Sequence, residues 1–271
     1  MSYINGGHIS SEGKSKKGKS KSQAQSNFNK SGFRQTFAFG LFTFAFSLRL
    51  LLFVEAMSGR PPREAFRARE WAVVESHRTP AQVQRYLSRM PYNWERCGAT
   101  LRSFREVLRR GEAHCLEAAL AAAVILEQHG YPPLLMSLES QDKLDHVVFV
   151  FRRRGLWGSV ARSRDLGLHG RRPVFKNLRH LAWSYFDPYV DTTARITGYG
   201  VTSMYELGGY DWRFSPRNVW KVERHLQEIP HRHLRSSERR YRALLARFQA
   251  FRRTHPDRAP DYFDNRDTWM L

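Results

Sequence analysis

Between residues 64 and 130, apolar residues recur every three to four positions, as they do along one face of a helix. The pattern predicts four helices, over residues 64–77, 80–88, 100–110 and 111–130. Thr79-Pro80 is a typical helix start, and Gly111 and Gly130 suit the left-handed position that ends a helix. Alanine and leucine fill the fourth helix, which is therefore the most strongly predicted element.

Beyond Gly130 the pattern becomes that of strands joined by turns. β-branched and aromatic residues predict strands over 134–138, 146–151 and 156–161, with a hairpin turn at 153–155. Weaker patterns predict a basic loop region over 163–180, a strand or helix over 181–186, a turn at Asp187-Pro188, irregular structure over 192–212, helices within 215–254 and a polar tail. The predicted fold class is α+β.

The first 56 residues differ from the rest in composition. Residues 1–35 are rich in Gly, Ser, Lys, Gln and Asn and are predicted to be a disordered basic tail. Residues 36–56 form an apolar segment whose central part is near the lower length limit for a membrane span, but Arg49 lies inside it. Lysine predominates among the cations before Met57 and arginine after it, which favours translation starting at Met57. We therefore expect a cytoplasmic protein, with membrane anchoring through residues 36–54 as the alternative.

The formal net charge of +20 favours acidic partners in general. The cations are spread along the chain, however, and no nucleic-acid-binding motif is present, so nucleic acid is an unlikely partner. Binding to nucleic acid or an anionic surface through the arginines of 238–253 ranks third among the functional hypotheses. The two cysteines, Cys97 and Cys115, form neither a disulfide framework nor a zinc motif. No metal and no cofactor is predicted.

Cys115 lies in the first turn of the predicted central helix. Unpaired backbone N–H groups and the positive end of the helix dipole lie there, and both favour the thiolate form of a cysteine. A buried structural cysteine is the alternative. His114 is expected to be a capping or solvated residue rather than a catalytic base.

The order of these elements resembles the transglutaminase-like superfamily, a branch of papain-like cysteine chemistry. The residues that carry the resemblance are Gly111-Glu112-Ala113-His114-Cys115, Ala118, Leu126, Gly130-Tyr131, Asp145-His146-Val147-Val148-Phe149-Val150 and Gly155-Leu156-Trp157. The resemblance covers roughly residues 95–190. It implies a Cys-bearing helix packed on an antiparallel sheet, within a single domain over 57–271 that has additional N- and C-terminal helices.

The resemblance also implies a thiol-dependent amide hydrolase or acyltransferase acting on a peptide or protein amide. Cys115 would be the nucleophile and His146 the base. The family usually places an Asp opposite the His, but Ala161, Arg162 and Ser163 occupy that region here. Asp187, or alternatively Asp165, is the expected orienting residue.

Trp157 and Arg152 are expected to bind substrate, and basic residues near the site could attract an acidic one. A catalytically inactive interaction module with the same fold is the main alternative.

Overall fold

The computed structural model describes residues 59–141, 146–190 and 194–271. The predictions for residues 1–35 and 36–56 lie outside the described residues. The described part of the chain is a mixed α+β structure with eight α-helices and one antiparallel six-stranded sheet. None of the helices within these three ranges combines the length and apolar character needed to cross a membrane.

The helices surround the sheet on both faces. They are α1 (Ala68–Ser76), α2 (Pro80–Arg89), α3 (Phe104–Arg110), α4 (Cys115–Glu127), α5 (Leu178–Tyr189), α6 (Trp220–Glu228), α7 (Glu238–Thr254) and α8 (Arg266–Trp269). Short 3-10 helices cover Arg63–Ala65, Leu166–Leu168 and Met204–Leu207.

All neighbouring strands of the sheet run antiparallel. The strands are β1 (Leu134–Ser140), β2 (His146–Arg153), β3 (Leu156–Val160), β4 (Arg171–Phe175), β5 (Ile196–Ser203) and β6 (Arg232–His233). Their order across the sheet is β4-β3-β2-β1-β5-β6. A tight turn with Arg154 and Gly155 at positive φ joins β2 to β3, as the sequence predicted.

Strand β2 carries the core on both of its faces. Val147, Phe149 and Phe151 point toward α4 and the other N-terminal helices, whereas Val148 and Val150 point toward α5. This alternation follows from the two-residue period of a strand. Helix α4 is buried on all sides, and its small alanine side chains allow close packing against the sheet.

Several sequence predictions were accurate. Thr79 caps α2 and Gly111 ends α3 at a φ of 74°. Helix α7 begins after Ser237, and α6 and α7 account for the helices predicted within 215–254. Ser103, not Thr100, caps α3, because Thr100 is bound to a buried carboxylate instead.

Other predictions were wrong. Asp187 and Pro188 do not form a turn but lie within the last turn of α5. Residues 196–203, expected to be irregular, form the strand β5. Ile229 packs closely over the backbone of this strand, since a Cβ on Gly200 would lie 2.8 Å from the Cδ1 atom of Ile229.

Candidate active site

Cys115 is the first residue of α4, and a buried carboxylate fixes that end of the helix. Glu117 is fully buried and its Oε2 accepts a hydrogen bond from the backbone N of His114 at 3.1 Å. Its Oε1 accepts from the backbone N of Arg102 at 2.9 Å and from Thr100 Oγ1 at 3.0 Å. Together with a bond from Asn93 Nδ2 at 3.0 Å, these contacts hold the helix start rigidly against the preceding loop.

His114 directly precedes the nucleophile candidate and is largely buried. Its Nε2 lies 2.9 Å from the carbonyl oxygen of Thr100, which can only accept, so Nε2 carries a hydrogen. The same nitrogen is 3.6 Å from Glu117 Oε1. This leaves Nδ1 as the ring nitrogen that can interact with the Cys115 thiol. His114 is the N-cap residue of α4, as the sequence predicted, and it also lines the cleft beside Cys115.

His146, the first residue of β2, reaches the same thiol from the sheet. Its side chain is buried, with 3% of the residue exposed, and it lines the same cleft as Cys115. Its Nε2 lies 2.9 Å from the carbonyl oxygen of Leu168 and therefore donates to it. The ring packs beside Tyr185, with centroids 5.7 Å apart. Nδ1 remains as the nitrogen that can exchange a proton with the thiol.

The two imidazoles change the acid–base properties of the thiol. Burial by itself raises the pKa of Cys115, but hydrogen bonds from His114 and His146, together with their charges, outweigh it and lower the pKa to about 5. Burial disfavours the charged form of His114, but the Cys115 thiolate and Glu117 raise the pKa of His114 to about 9. At neutral pH this arrangement favours a thiolate beside an imidazolium.

The carbonyl group that orients His146 is itself held by a buried arginine. Arg171 is fully buried, and its Nη2 donates to the carbonyl of Gly167 at 2.7 Å. Its Nη1 donates to the carbonyl of His169 at 2.5 Å. These two residues flank Leu168, so the guanidinium fixes the loop whose carbonyl accepts from His146.

Arg171 is held without a carboxylate partner among the described residues. The guanidinium lies 3.9 Å from the ring centroid of Tyr185 and 4.5 Å from that of Trp269. Its Nη2 also donates to the carbonyl of Ser184 at 3.1 Å. That carbonyl is available because Pro188, four residues later in α5, has no N–H to donate to it. Burial lowers the pKa of Arg171 to about 10, which leaves it charged at neutral pH.

A cleft of about 700 Å³ opens over the thiol. Cys115, His114 and His146 all line it, together with segments from the loop before α3, the loop after β3, and helices α6 and α7. Within this cleft a substrate carbonyl could approach the thiolate and the N–H groups of the first turn of α4 at the same time.

The structure does not bring the predicted orienting carboxylates to His146. Asp187 lies on α5, where its Oδ1 accepts from Arg240 Nη2 at 2.6 Å. Asp165 lines the cleft, but its side chain is exposed and lies 3.6 Å from Arg164 Nε. A main-chain carbonyl occupies the position for which a carboxylate was expected.

The two predicted substrate-binding residues lie elsewhere. Arg152 and Trp157 are paired across β2 and β3, and the guanidinium lies 5.8 Å from the Trp157 ring centroid. Arg152 is six residues along β2 from His146, which corresponds to about 20 Å. Neither residue lines the cleft.

Sequence reasoning found Cys115 and His146 but missed most of what surrounds them. Two signals in the sequence could have indicated the role of His114. It directly precedes the cysteine, and Glu117 follows it three residues later. Leu168 contributes only its main chain, for which the sequence has no signature.

Across the described ranges, no group of three or more His, Cys, Asp or Glu side chains is arranged to hold a metal ion. A comparison with protein-family models finds no match, and a comparison with curated proteins finds no similar sequence.

Proposed function

We propose that this protein is a thiol-dependent amide hydrolase or acyltransferase of the transglutaminase-like type, with Cys115 as the nucleophile. The observation that carries the proposal is the meeting of one helix-terminal thiol and two histidines in an open cleft, where the histidines lower the pKa of the thiol to about 5. Further support comes from the packing of the Cys-bearing helix on the strand that carries His146.

In the proposed reaction, the Cys115 thiolate attacks the carbonyl carbon of an amide, and a sulfur–carbon bond forms. First-turn N–H groups of α4 stabilise the resulting oxyanion. The carbon–nitrogen bond then breaks, and His146 gives its proton to the leaving amine. Water or a second amine attacks the thioester, His146 takes the proton of that nucleophile, and the thiolate leaves.

The two histidines have different proposed roles. His146 lies on a separate element and faces the cleft, so it can transfer the proton to and from substrate. His114 is held by Thr100 and by Glu117, which favours a permanently charged imidazolium that stabilises the thiolate. The Leu168 carbonyl, rather than a carboxylate, fixes the His146 ring.

The test is detection of an acyl-enzyme. The full chain carrying Cys97→Ser would be incubated with peptides from digested casein, with and without a fluorescent primary amine. We expect cleaved or amine-coupled peptides, and a thioester adduct located at Cys115 by mass spectrometry of acid-quenched samples. Cys115→Ser and His146→Asn should abolish all of these products. Equal product formation by the Cys115→Ser variant would refute the proposal.

An inactive interaction module is the second candidate. It is favoured by one observation, the absence of a carboxylate from the hydrogen bond that orients His146. A carbonyl holds the ring but stabilises an imidazolium less than a charged group does. This candidate predicts neither an acyl-enzyme nor products in the same experiment.

A further inference from the structure

Apolar side chains that are exposed to solvent are concentrated at the mouth of the cleft. Four large apolar side chains in the described residues are strongly exposed: Trp94, Leu166, Val174 and Trp220. Trp94, 57% exposed, and Trp220, 37% exposed, both line the cleft, and Leu166 lies between two lining residues. Such clustering of exposed apolar side chains at one place indicates a surface that binds an apolar ligand.

Trp94 is exposed although its backbone is rigidly anchored. Its neighbour Asn93 is buried and donates to Glu117 inside the site. On the other side, Tyr92 forms a β-bridge with Ala113, two residues before the nucleophile. The Trp94 ring packs edge-on against Tyr92, with centroids 5.1 Å apart. The indole is therefore held against Tyr92, in the cleft that Cys115 also lines, while its surface stays open.

Trp220 is fixed to the same part of the site. It is the first residue of α6, and the preceding Val219 donates its N–H to the carbonyl of Leu101 at 2.7 Å. The Leu101 N–H in turn donates to Asn218 Oδ1 at 3.1 Å. The loop that carries Trp94 and the start of α6 are thus tied together, and both indoles line the same cleft.

The charges around the cleft do not favour an acidic substrate. The charged residues that line it, apart from the histidines, are three carboxylates and two guanidiniums: Glu95, Asp165, Glu223, Arg164 and Arg252. Arg152, on the far part of β2, is not among them. The positive net charge of the whole chain is therefore not focused on the thiol.

We propose that Trp94 and Trp220 form a specificity site that selects amides carrying a large apolar or aromatic side chain next to the reacting carbonyl. This inference rests on the proposed function, which supplies the reaction, and it adds which substrates the cleft binds. Aromatic rings offer large contact areas with little loss of side-chain entropy, and they discriminate in favour of apolar partners.

Three alkylating reagents with the same reactive group provide the test: the chloroacetyl derivatives of glycinamide, phenylalaninamide and glutamic acid amide. In each case the Cys115 thiolate displaces chloride, so that one S–C bond forms and one C–Cl bond breaks. Rates would be measured at pH 7 with the full chain carrying Cys97→Ser. We expect the phenylalanine reagent to react roughly tenfold faster than the glycine reagent, and the glutamate reagent no faster than the glycine one.

The variants Trp94→Ala and Trp220→Ala should each lower the phenylalanine-to-glycine rate ratio several-fold. Val174→Ala removes an equally exposed apolar side chain on β4, outside the cleft, and should not alter the ratio. Equal rates for all three reagents, on a thiol whose alkylation profile has its midpoint well below that of a free cysteine, would overturn the specificity site and leave the proposed nucleophile intact. A phenylalanine preference that is lost in Trp94→Ala, on a thiol whose alkylation profile has the same midpoint as that of a free cysteine, would support the site and refute the enzyme.

Discussion

The reactivity of Cys115 against pH is the prediction that depends most directly on the geometry of the site. The protein carrying Cys97→Ser would be compared with the same protein carrying His114→Asn or His146→Asn. Each substitution removes one imidazole from the thiol, while burial, which raises the pKa of Cys115, remains. We therefore expect the pKa of the thiol to rise in both variants, by a unit or more in each.

The expected magnitude determines which quantity should be measured. At pH 6.5 a thiol with a pKa of about 5 is almost entirely ionised, whereas an ordinary thiol with a pKa of about 8.5 is roughly 1% ionised. Nucleophilicity per thiolate, however, falls with pKa along a slope of about 0.4–0.5, which over this difference is roughly a 30- to 60-fold loss. The two effects nearly cancel in a single-pH rate, so the midpoint of the pH profile is the informative observable.

The assay is iodoacetamide alkylation followed by intact mass between pH 4 and pH 9, with circular dichroism at each pH to confirm the fold. We expect a midpoint near pH 5 in the parent protein. His129→Asn is a matched control, because His129 lies at the other end of the same helix and hydrogen-bonds the Val74 carbonyl. A parent midpoint close to that of a cysteine-containing peptide, or one that neither variant moves, would refute the thiolate–imidazolium reasoning.

Three further predictions concern the groups that support the site. Glu117→Gln replaces a carboxylate oxygen by an NH2 that faces N–H donors, so it should destabilise the fold by about 3 kcal/mol, measured by urea unfolding. It should also lower the pKa of His114, measured by NMR titration. Arg171→Met leaves the carbonyls of Gly167 and His169 without a donor, so it should cost about 3 kcal/mol in urea unfolding. It should also move the midpoint of the Cys115 alkylation profile to higher pH, and Arg171→Lys should restore part of both. An unmoved midpoint in Arg171→Met would contradict the positioning role. Burial lowers the pKa of His169 to about 4, below its unfolded value of about 6.5. As the pH is lowered, the unfolded state therefore takes up the proton first. The free energy of unfolding should decrease by about 3 kcal/mol as the pH is lowered from about 6.5 to about 4. His169→Asn should remove this dependence of the free energy of unfolding on pH, measured by urea unfolding. An unchanged dependence in the variant would contradict the prediction.

The rigidity of the loop around Leu168 explains why a main-chain carbonyl can orient the imidazole of His146. A carbonyl orients an imidazole only if the loop around it is rigid, because it lacks the attraction of a full negative charge. The contacts of Arg171 with the residues on each side of Leu168 supply that rigidity. The C-terminal end of the chain adds to it, since Leu271 donates its N–H to the carbonyl of Gly170 at 3.1 Å.

The sequence by itself determined the local elements of the site. Helical periodicity, two glycine ends and an alanine-rich centre were sufficient to place Cys115 at the start of α4. β-branched residues and a tight turn were sufficient to place His146 at the start of β2. These features are local, since each depends on propensities and turn chemistry within a few residues.

Only the tertiary structure decided what surrounds the thiol. The orienting group is a backbone carbonyl, and every residue has one, so nothing in the sequence distinguished Leu168 from its neighbours. Asp187 was expected beside His146 because Asp187-Pro188 resembles the strand-ending Asp-Pro of the transglutaminase-like superfamily. Instead, α5 continues through Pro188, and the Asp187 carboxylate pairs with Arg240. The presence of Trp94 and Trp220 in one cleft was also undetectable, because the two residues are 126 positions apart in the sequence and their segments meet through tertiary hydrogen bonds such as those at Leu101.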